Sequence, residues 1–399
     1  MTTTKNNEHK NIKVPNLRFP EFQEEWKEER LAGIADLYKG TGISKDQLSD
    51  DGEPCILYGE LYTKYKSETI REVISKTNID NTKLVRSKAN DVIIPCSGET
   101  AEDIATARCV LNGNILLGGD LNIIRLHGYD GAFMSYQLNG RRKYDIAKVA
   151  QGVSVVHLYG EHLKGVKTIN PCLEEQKKIA KLLSLLDERI ATQNKIIEDL
   201  KKLKSAIIEI EYTPNTKTTS PIGDVIEQIS KRNKNNAIQN VLSVSNRQGF
   251  IKQSDQFENR NIASEDTSNY KIVEHNDFAF NPARINVGSI ARLTTFEKGI
   301  ISPMYICFRT QENVAPEYID YFFESKHFYC EIQKRLEGSV RQCLSFEGLC
   351  NIPLSLPSFE MQQLIGKRLF TLGQKIKTET DLLELLNKQK QYLLRQMFI

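Results

Sequence analysis

A helix-forming pattern occurs twice in this chain, and the second copy lies 186 residues after the first. From Glu174 to Ile210 the sequence contains neither Gly nor Pro, and its apolar residues recur at alternating steps of four and three. This heptad spacing is typical of a helix that packs an apolar stripe against a partner helix. The first stripe comprises Ile179, Leu183, Leu186, Ile190, Ile197, Leu200 and Ile207, and the second comprises Ile365, Leu369, Leu372, Ile376, Leu383, Leu386 and Leu393.

The polar residues that interrupt each stripe are repeated as well. Gln193 and Lys204 in the first copy correspond to Glu379 and Lys390 in the second. Outside the helices, the same displacement relates Gly152 to Gly338, Leu158 to Leu344, Leu163 to Leu349, Gln176 to Gln362, and Asn90-Asp91 to Asn276-Asp277. We interpret this as an internal duplication, the alternative being two unrelated coiled-coil helices. The predicted domains are residues 1–170, a helix at 171–212, residues 213–356 and a second helix at 357–399.

Each globular unit has the pattern of a mixed α and β domain. Short β-rich runs are separated by clusters of Gly, Asn and Asp, and two segments are predicted to be helical, at 132–138 and 316–336. Regular alternation of strand and helix is not seen, so we expect an α+β fold rather than a doubly wound parallel sheet. The β-rich runs are 55–58, 91–95 and 122–126 in the first unit, and 241–245, 277–280 and 304–309 in the second.

Composition excludes several classes of protein. No run approaches the roughly 20 apolar residues that a membrane span needs. The first ten residues are polar, so we do not expect secretion. The eight cysteines form no CxxC pair, which favours reduced thiols and a cytoplasmic protein over a zinc site or a disulfide framework. A net charge of +3 is too small to identify a partner, so any nucleic-acid surface must consist of local patches.

Motifs that resemble catalytic sites are incomplete. The segment from Gly160 begins like a phosphate-binding loop, but Val166 occupies the position of the phosphate-binding lysine. Asn281-Pro282-Ala283-Arg284 resembles an adenine methyltransferase motif without its second proline and aromatic residue. His157 and His162 are five residues apart, which does not suit metal ligands on one helix face. We therefore predict no catalytic, cofactor-binding or metal-binding residues in this chain.

Several longer motifs of the chain occur together in one known family. They are Val14 to Phe22 with Trp26 and Leu31, Ile56 to Tyr65, Val241 to Asn246 with Gly249 and Phe250, Leu158 to Leu163 running into Pro171 to Ala180, and the weaker copy Leu344 to Leu349 running into Pro357 to Ile365. With these motifs the chain resembles the specificity (S) subunits of type I restriction-modification systems. The resemblance covers essentially the whole chain, including its order of unit, helix, unit and helix. Cys172 and Ser358 replace the second proline often seen in the family's box at the helix entry.

The resemblance implies a non-catalytic subunit that reads DNA. In the family, each target-recognition domain reads one half of a split target in double-stranded DNA. The two long helices form an antiparallel coiled coil that sets the spacer and docks two methyltransferase subunits, which bind S-adenosylmethionine. Two ATP-dependent restriction and translocation subunits can join them. The target sequence, the spacer length and the methylated bases cannot be predicted from this chain.

Candidate DNA contacts were selected from basic clusters and turns. Arg and Asn are the residue types that form bidentate contacts with guanine and adenine, whereas other basic residues position the protein on phosphates. For every cluster the alternative is a solvated basic surface. The candidates are Ser97, Gly98, Arg141, Arg142 and Lys143 in the first unit, and Lys231, Arg232, Lys234, Arg247, Arg284 and Asn286 in the second.

Two other functions remain open at the level of sequence. The chain could be a duplicated coiled-coil interaction scaffold that does not read DNA sequence. It could also be an enzyme in its own right. The first would bind no DNA selectively even with methyltransferase partners present, and the second would transfer methyl groups or cleave DNA as a single purified chain.

Overall fold

The computed structural model describes residues 13–80, 83–152, 155–213, 219–246, 248–256, 266–338 and 342–399. The chain divides into two compact units. Unit 1 contains residues 1–194 together with 381–399, and unit 2 contains residues 195–380. Both divisions fall inside long helices, so each unit combines one globular region with parts of two helices.

Unit 1 contains a five-stranded sheet in the order β2-β11-β7-β9-β5 and a four-stranded sheet in the order β10-β4-β6-β3. Two further strand pairs, β1 with β13 and β8 with β12, complete the strands described in this unit. The elements are β1 (Lys27–Arg30), α1 (Leu31–Ile34), β2 (Ala35–Lys39), β3 (Leu48–Ser49), β4 (Glu53–Ile56), α2 (Glu60–Thr63), β5 (Thr69–Ile70), β6 (Ser75–Thr77), β7 (Asp91–Pro95), β8 (Ser97–Gly98), α3 (Ala101–Ile104), β9 (Arg108–Val110), β10 (Leu116–Leu117), β11 (Leu121–Leu126), α4 (Gly131–Asn139), α5 (Lys143–Val149), β12 (Val156–His157), α6 (Gly160–Lys164), β13 (Lys167–Asn170) and α7 (Leu173–Glu211), which continues into unit 2.

Unit 2 repeats this plan with fewer strands. Its sheets have the orders β15-β22-β19-β20 and β17-β16-β21-β18, and β14 pairs with β23. The elements are β14 (Thr219–Pro221), β15 (Ile226–Ile229), β16 (Val241–Ser245), β17 (Gly249–Lys252), α8 (Gln253–Gln256), β18 (Lys271–Glu274), β19 (Phe278–Phe280), β20 (Ile290–Arg292), β21 (Lys298–Ile301), β22 (Ile306–Thr310), α9 (Pro316–Phe322), α10 (Lys326–Gln333), α11 (Phe346–Cys350), β23 (Pro353–Ser355) and α12 (Phe359–Gln396), which continues into unit 1.

Sheet topology confirms the predicted duplication and the mixed α and β class. In unit 1, β11 pairs antiparallel with both β2 and β7, and in unit 2, β22 pairs antiparallel with both β15 and β19. The second sheet of each unit contains one parallel pair, β4 with β10 and β16 with β21. None of the sheets in the described ranges is a doubly wound parallel sheet.

The repeated Asn-Asp dipeptide has the same structural role in both units. Asn90 and Asn276 have φ angles of 78° and 70°, in the left-handed region that Asn tolerates better than most residues. The buried carboxylate of Asp91 accepts a backbone hydrogen bond from Lys88 and pairs with Arg125 through two bonds of 2.8 and 2.9 Å. The hydrogen bond from Arg125 to Asp91 raises the pKa of the arginine.

In unit 2 the corresponding carboxylate makes the corresponding contacts. Asp277 accepts from the backbone of Glu274 at 2.7 Å and pairs with Arg309 at 3.0 and 3.1 Å. Burial raises the pKa of Asp277, although the arginine opposes this shift. In each unit a bidentate pair on a buried aspartate fixes the start of β7 or of β19, so the loops that follow these strands have a rigid base.

The repeated glutamines join each long helix to its globular unit. Gln176 donates to the carbonyl of Pro171 and accepts from the backbone N–H of Asp130, each at 2.9 Å. Gln362 makes the equivalent bonds to Pro357 at 2.9 Å and to Ala315 at 3.0 Å. Because both glutamines are buried, each of these bonds satisfies a backbone group that water cannot reach.

In unit 1 the two long helices run antiparallel. Lys390 of α12 contacts Asp187 of α7, and Phe398, two residues beyond the end of α12, shares a hydrophobic core with Ile179 and Leu183, which precede Asp187. The ring of Phe398 packs against Trp26 and Phe133, with centroid separations of 6.5 and 5.1 Å. The end of α12 therefore forms part of the core of the first globular region.

Unit 2 receives the end of α7 in the same way. Tyr212, which corresponds to Phe398 in the repeat, lies buried in a core with Ile365 and Leu369 of α12. Its hydroxyl donates to the carbonyl of Tyr318 at 2.6 Å. Each globular region is thus completed by residues at the end of a long helix.

All fourteen predicted stripe residues are buried or half-buried. The half-buried ones are Ile190, Leu200, Ile207, Leu372, Ile376, Leu383 and Leu393, and the others are buried. Of the polar interruptions, Gln193 and Glu379 are buried. None of the helices in the described ranges is apolar over a length that could cross a membrane.

Candidate nucleic-acid interface

In unit 2, several loops emerge at one edge of the β15-β22-β19-β20 sheet. Because β15 and β19 are both antiparallel to β22, their carboxyl ends lie at the same edge, beside the start of β22. Strand β21 ends just before β22 begins, and β16 is parallel to β21, so its end faces the same way. We call this the loop edge of unit 2. Its described residues are 230–238, 245–246, 248–249, 281–289 and 302–305.

The loop after β15 presents three of the predicted cationic residues. Lys231, Arg232 and Lys234 are exposed, and Arg232 donates to the amide oxygen of Asn269 at 3.0 Å. Asn233 between them is buried, and its side chain bonds to both backbone groups of Ile238, at 3.0 and 3.2 Å. One anchored asparagine therefore displays its cationic neighbours along a cleft of about 850 Å³.

The loop after β19 presents Arg284 and Asn286. Arg284 is exposed and Asn286 is half-buried, while Ile285 between them lies in the hydrophobic core. The predicted contact Arg247 belongs to the segment between β16 and β17 but lies outside the described residues. The predicted contacts of unit 2 that the structure describes thus come from two separate stretches, and the topology brings both to one edge.

The equivalent edge of unit 1 is less basic. Ser97 and Gly98 form β8, which directly follows β7, and they are half-buried. The Ser97 hydroxyl lies 3.3 Å from Nδ1 of His157 and 3.5 Å from a carboxylate oxygen of Asp120. The Tyr62 hydroxyl donates to the Ser97 carbonyl at 3.0 Å, and burial raises the pKa of Tyr62, which keeps the phenol protonated as a donor.

Sequence reasoning missed a cleft at this edge of unit 1. It has a volume of about 1030 Å³ and is formed by residues 42–48, 57–64 and 119–120, with Lys45, Lys64 and the exposed ring of Tyr58 among them. The sequence signal was present, because Tyr58 belongs to the strand-and-turn motif that starts at Ile56. The motif supported the family resemblance, but it did not indicate which of its side chains face solvent.

The predicted basic triplet of unit 1 has a different environment. Arg141 donates to the backbone carbonyls of Arg395 at 2.7 Å and Phe398 at 3.3 Å. Arg142 donates to the carbonyl of Ile399 at 3.0 Å, and Lys143 starts α5. Cations that bind the free carbonyls at a helix C-terminus stabilise that end. Arg141 and Arg142 therefore hold the end of α12, and their contact with DNA stays a prediction.

The segments at Gly160 and Asn281, whose sequences resemble catalytic motifs, form ordinary local structure. The Gly160 segment forms the short helix α6, in which Lys164 pairs with Glu161 at 2.7 Å. Asn281 and its neighbours form the start of a hairpin loop. Within the described ranges, no group of three His, Cys, Asp or Glu side chains is placed to hold a metal ion.

A family model described as type I restriction modification DNA specificity domain matches this chain twice, at residues 23–202 and 214–388. The chain is 24% identical to the type I restriction enzyme MjaVIII specificity subunit of Methanocaldococcus jannaschii, over 94% of this chain and 90% of that one. It is also 24% identical to the putative MjaX specificity subunit of the same organism, over 94% and 91% of the two chains.

Solved structures show the same fold. The S subunit of a type I restriction-modification system from M. genitalium superposes with a TM-score of 0.62 at 17% identity, covering 97% of this chain and 99% of that chain. A chain from a structural study of complex assembly and conformational transition in the type I system superposes with a TM-score of 0.51 at 13% identity, covering 95% and 98%.

Proposed function

This chain belongs to the type I restriction-modification DNA specificity family, and on that premise we propose that it is the non-catalytic subunit that reads the DNA target of a type I complex. Each globular region reads one half of a bipartite target in double-stranded DNA. The long helices set the spacer between the halves and dock the modification subunits. The observation that carries this proposal is that the family model matches twice, once over each repeat.

The structure supports the division into two readers. Each unit contains the same frame, built on a buried Asp that pairs with an Arg and on a buried Gln at the helix entry. Each frame displays loops at one sheet edge, and in unit 2 this edge is cationic. Loops held by a rigid scaffold are suitable for reading base edges, because the side chains reach the groove without a large ordering cost.

The number of copies of each partner follows from the duplication. Two equivalent sets of surfaces suit two copies of one partner, so we propose two methyltransferase subunits, with two ATP-dependent restriction and translocation subunits joining them. S-adenosylmethionine binds to the methyltransferase subunits and not to this chain. We place the complex in the cytoplasm, where it reaches DNA.

Single-molecule methylome mapping tests this function. Cells that express the cognate methyltransferase are compared with and without this chain. We expect a bipartite adenine-methylation motif that is present only with the chain. If the purified complex assembles but no motif depends on the chain, the chain is a scaffold that does not read sequence. Methyl transfer or cleavage by the single chain would show that it is an enzyme.

A further inference from the structure

The hairpin loop between β19 and β20, residues 281–289, is rigid. Asn281 and Ser289 are buried and close the loop through a backbone hydrogen bond of 3.0 Å. The Asn281 side chain accepts from the backbone of Ala283 at 3.1 Å, and Ile285 is buried in the core. Gly288, with a φ of 89°, supplies the left-handed turn that brings the chain back to β20. A side chain on this loop is therefore presented in a fixed position.

Arg284 is exposed on this loop, and within the described residues its guanidinium has no hydrogen-bond or ion-pair partner. Other arginines of unit 2 are engaged: Arg292 with Asp320 and Glu317, and Arg309 with Asp277. Arg335 likewise pairs with Glu331. The guanidinium of Arg284 thus keeps its full set of donors for a ligand, on a backbone that needs no ordering to bind it.

The neighbouring loop supplies a different kind of cation. Lys231 and Lys234 lie in the loop after β15, which is separated from β19 by the single strand β22. Two strand spacings of about 4.8 Å place the two loops roughly 10 Å apart. This is comparable to the major-groove width of about 12 Å, which admits a two-stranded hairpin. When the hairpin lies in the major groove, the loop after β15, with Lys231 and Lys234, therefore lies beside the phosphates that flank the groove.

Arg284 has no equivalent side chain in the first repeat of the sequence. The corresponding position in unit 1 is Gly98, which has no side chain, and the adjacent Ser97 hydroxyl already lies near His157 and Asp120. Whatever Arg284 recognises is therefore read by unit 2 and has no counterpart at the same position of unit 1.

We propose that Arg284 reads a guanine in the half-site bound by unit 2, through paired hydrogen bonds to guanine O6 and N7 in the major groove, while Lys231 and Lys234 bind phosphates. This inference rests on the proposed function. Arg is the side chain whose planar fork matches those two acceptors, whereas an ammonium group on phosphate carries no sequence information. Asn286, two residues away on the same loop, is placed to contact an adjoining base pair.

The test is selection from randomised duplexes by the complete complex of the full chain with its methyltransferase subunits. Wild type is compared with Arg284→Gln and with the matched control Lys234→Gln. We expect Arg284→Gln to lose about 10- to 100-fold of its preference for guanine at one position of one half-site, with the other half-site unchanged. Lys234→Gln should weaken binding to all sequences about equally and lower the slope of log affinity against log salt by about 1.

The outcomes separate this inference from the proposed function. If the wild-type complex selects no bipartite sequence, the proposed function fails. If wild type selects one but Arg284→Gln leaves every position unchanged, or weakens all sequences equally, the guanine readout fails alone. Both replaced side chains are exposed, so equal thermal midpoints of the variants and wild type should exclude misfolding. A further variant, Asn286→Ala, should relax a position next to the guanine and is expected to leave the guanine itself selected.

Discussion

Replacing Lys390 with methionine should destabilise unit 1 strongly. The ammonium lies 2.6 Å from carboxylate oxygens of both Glu68 and Asp187, and the exposed fractions of the three side chains are 16%, 12% and 7%. At an effective dielectric constant of about 20, each pair contributes about 6 kcal/mol of gross attraction. Desolvation offsets most of this attraction. Removing one partner of a buried pair nevertheless leaves the carboxylates uncompensated and costs about 3–5 kcal/mol.

The pH dependence of this variant has a defined sign. Burial raises the pKa of Glu68, and Lys390 opposes that shift. Without the lysine, the folded-state pKa of Glu68 rises further above its unfolded value. A group of this kind contributes stability that is present below the unfolded pKa and is lost as the pH rises through the folded pKa. The deficit of Lys390→Met relative to wild type should therefore shrink as the pH falls from about 8 to about 5.

Urea unfolding monitored by tryptophan fluorescence isolates unit 1, because Trp26 is the only tryptophan in the sequence and lies in the core of that unit. The matched control is Lys204→Met. Lys204 occupies the same place in the repeat and pairs with the exposed carboxylate of Glu324 at 2.6 Å, so its loss should cost about 1 kcal/mol or less. Because Lys204 lies in unit 2, which Trp26 does not report, the unfolding of this variant is followed by circular dichroism. Equal destabilisation by the two variants, or a deficit of Lys390→Met that grows in acid, would refute the buried-cluster argument.

Five further perturbations test the scaffold and the two recognition domains. Phe398→Ala should cost about 3–5 kcal/mol in the Trp26 transition, since it opens a cavity beside Trp26 and Phe133. Gln362→Leu should cost about 1–3 kcal/mol for each backbone group that it leaves unpaired, measured for unit 2 by circular dichroism. Arg141→Gln should lower the Trp26 midpoint, because its bonds are to α12, and a lower slope of log affinity against log salt in the same variant would show that Arg141 also contacts DNA. Exchanging residues 213–356 for those of a related chain should change the sequence of one half-site only. Inserting four residues (about 6 Å of helix) after Leu200 should change only the length of the spacer. Methylation mapping measures both results.

The long helices were predictable because their signal is local and repeated. The structure places α7 at Leu173–Glu211 and α12 at Phe359–Gln396, close to the segments predicted from the heptad spacing. Sheet order was not predictable, since pairs such as β1 with β13 join residues about 140 positions apart and depend on packing. Short strands also carry little periodicity, and β8, β10 and β12 have only two residues each.

The exposure of the candidate residues was predictable in unit 2 and less so in unit 1. The cationic residues of unit 2 lie in loops, where neighbouring Arg and Lys residues can be recognised in the sequence as a local cluster. In unit 1 the cluster at Arg141 resembles a phosphate-binding surface, but its arginines bond to carbonyls more than 250 residues away in sequence. A single sequence does not distinguish a cation that binds a ligand from one that binds the end of a helix. The partner atoms become known only once the chain is folded.

The comparison of the two repeats separates the residues that maintain the frame from those that vary between readers. Asp91 and Asp277, like Gln176 and Gln362, satisfy backbone groups that would otherwise be buried without partners, so either repeat needs them to fold. Exposed loop residues such as Arg284 satisfy no buried backbone group, and the position that is Gly98 in unit 1 is Arg284 in unit 2. A duplicated protein whose frames match and whose loops differ is able to bind two unlike half-sites with one architecture. A change of target then requires substitutions only at the loop edges, because the buried contacts that hold each edge in place remain the same.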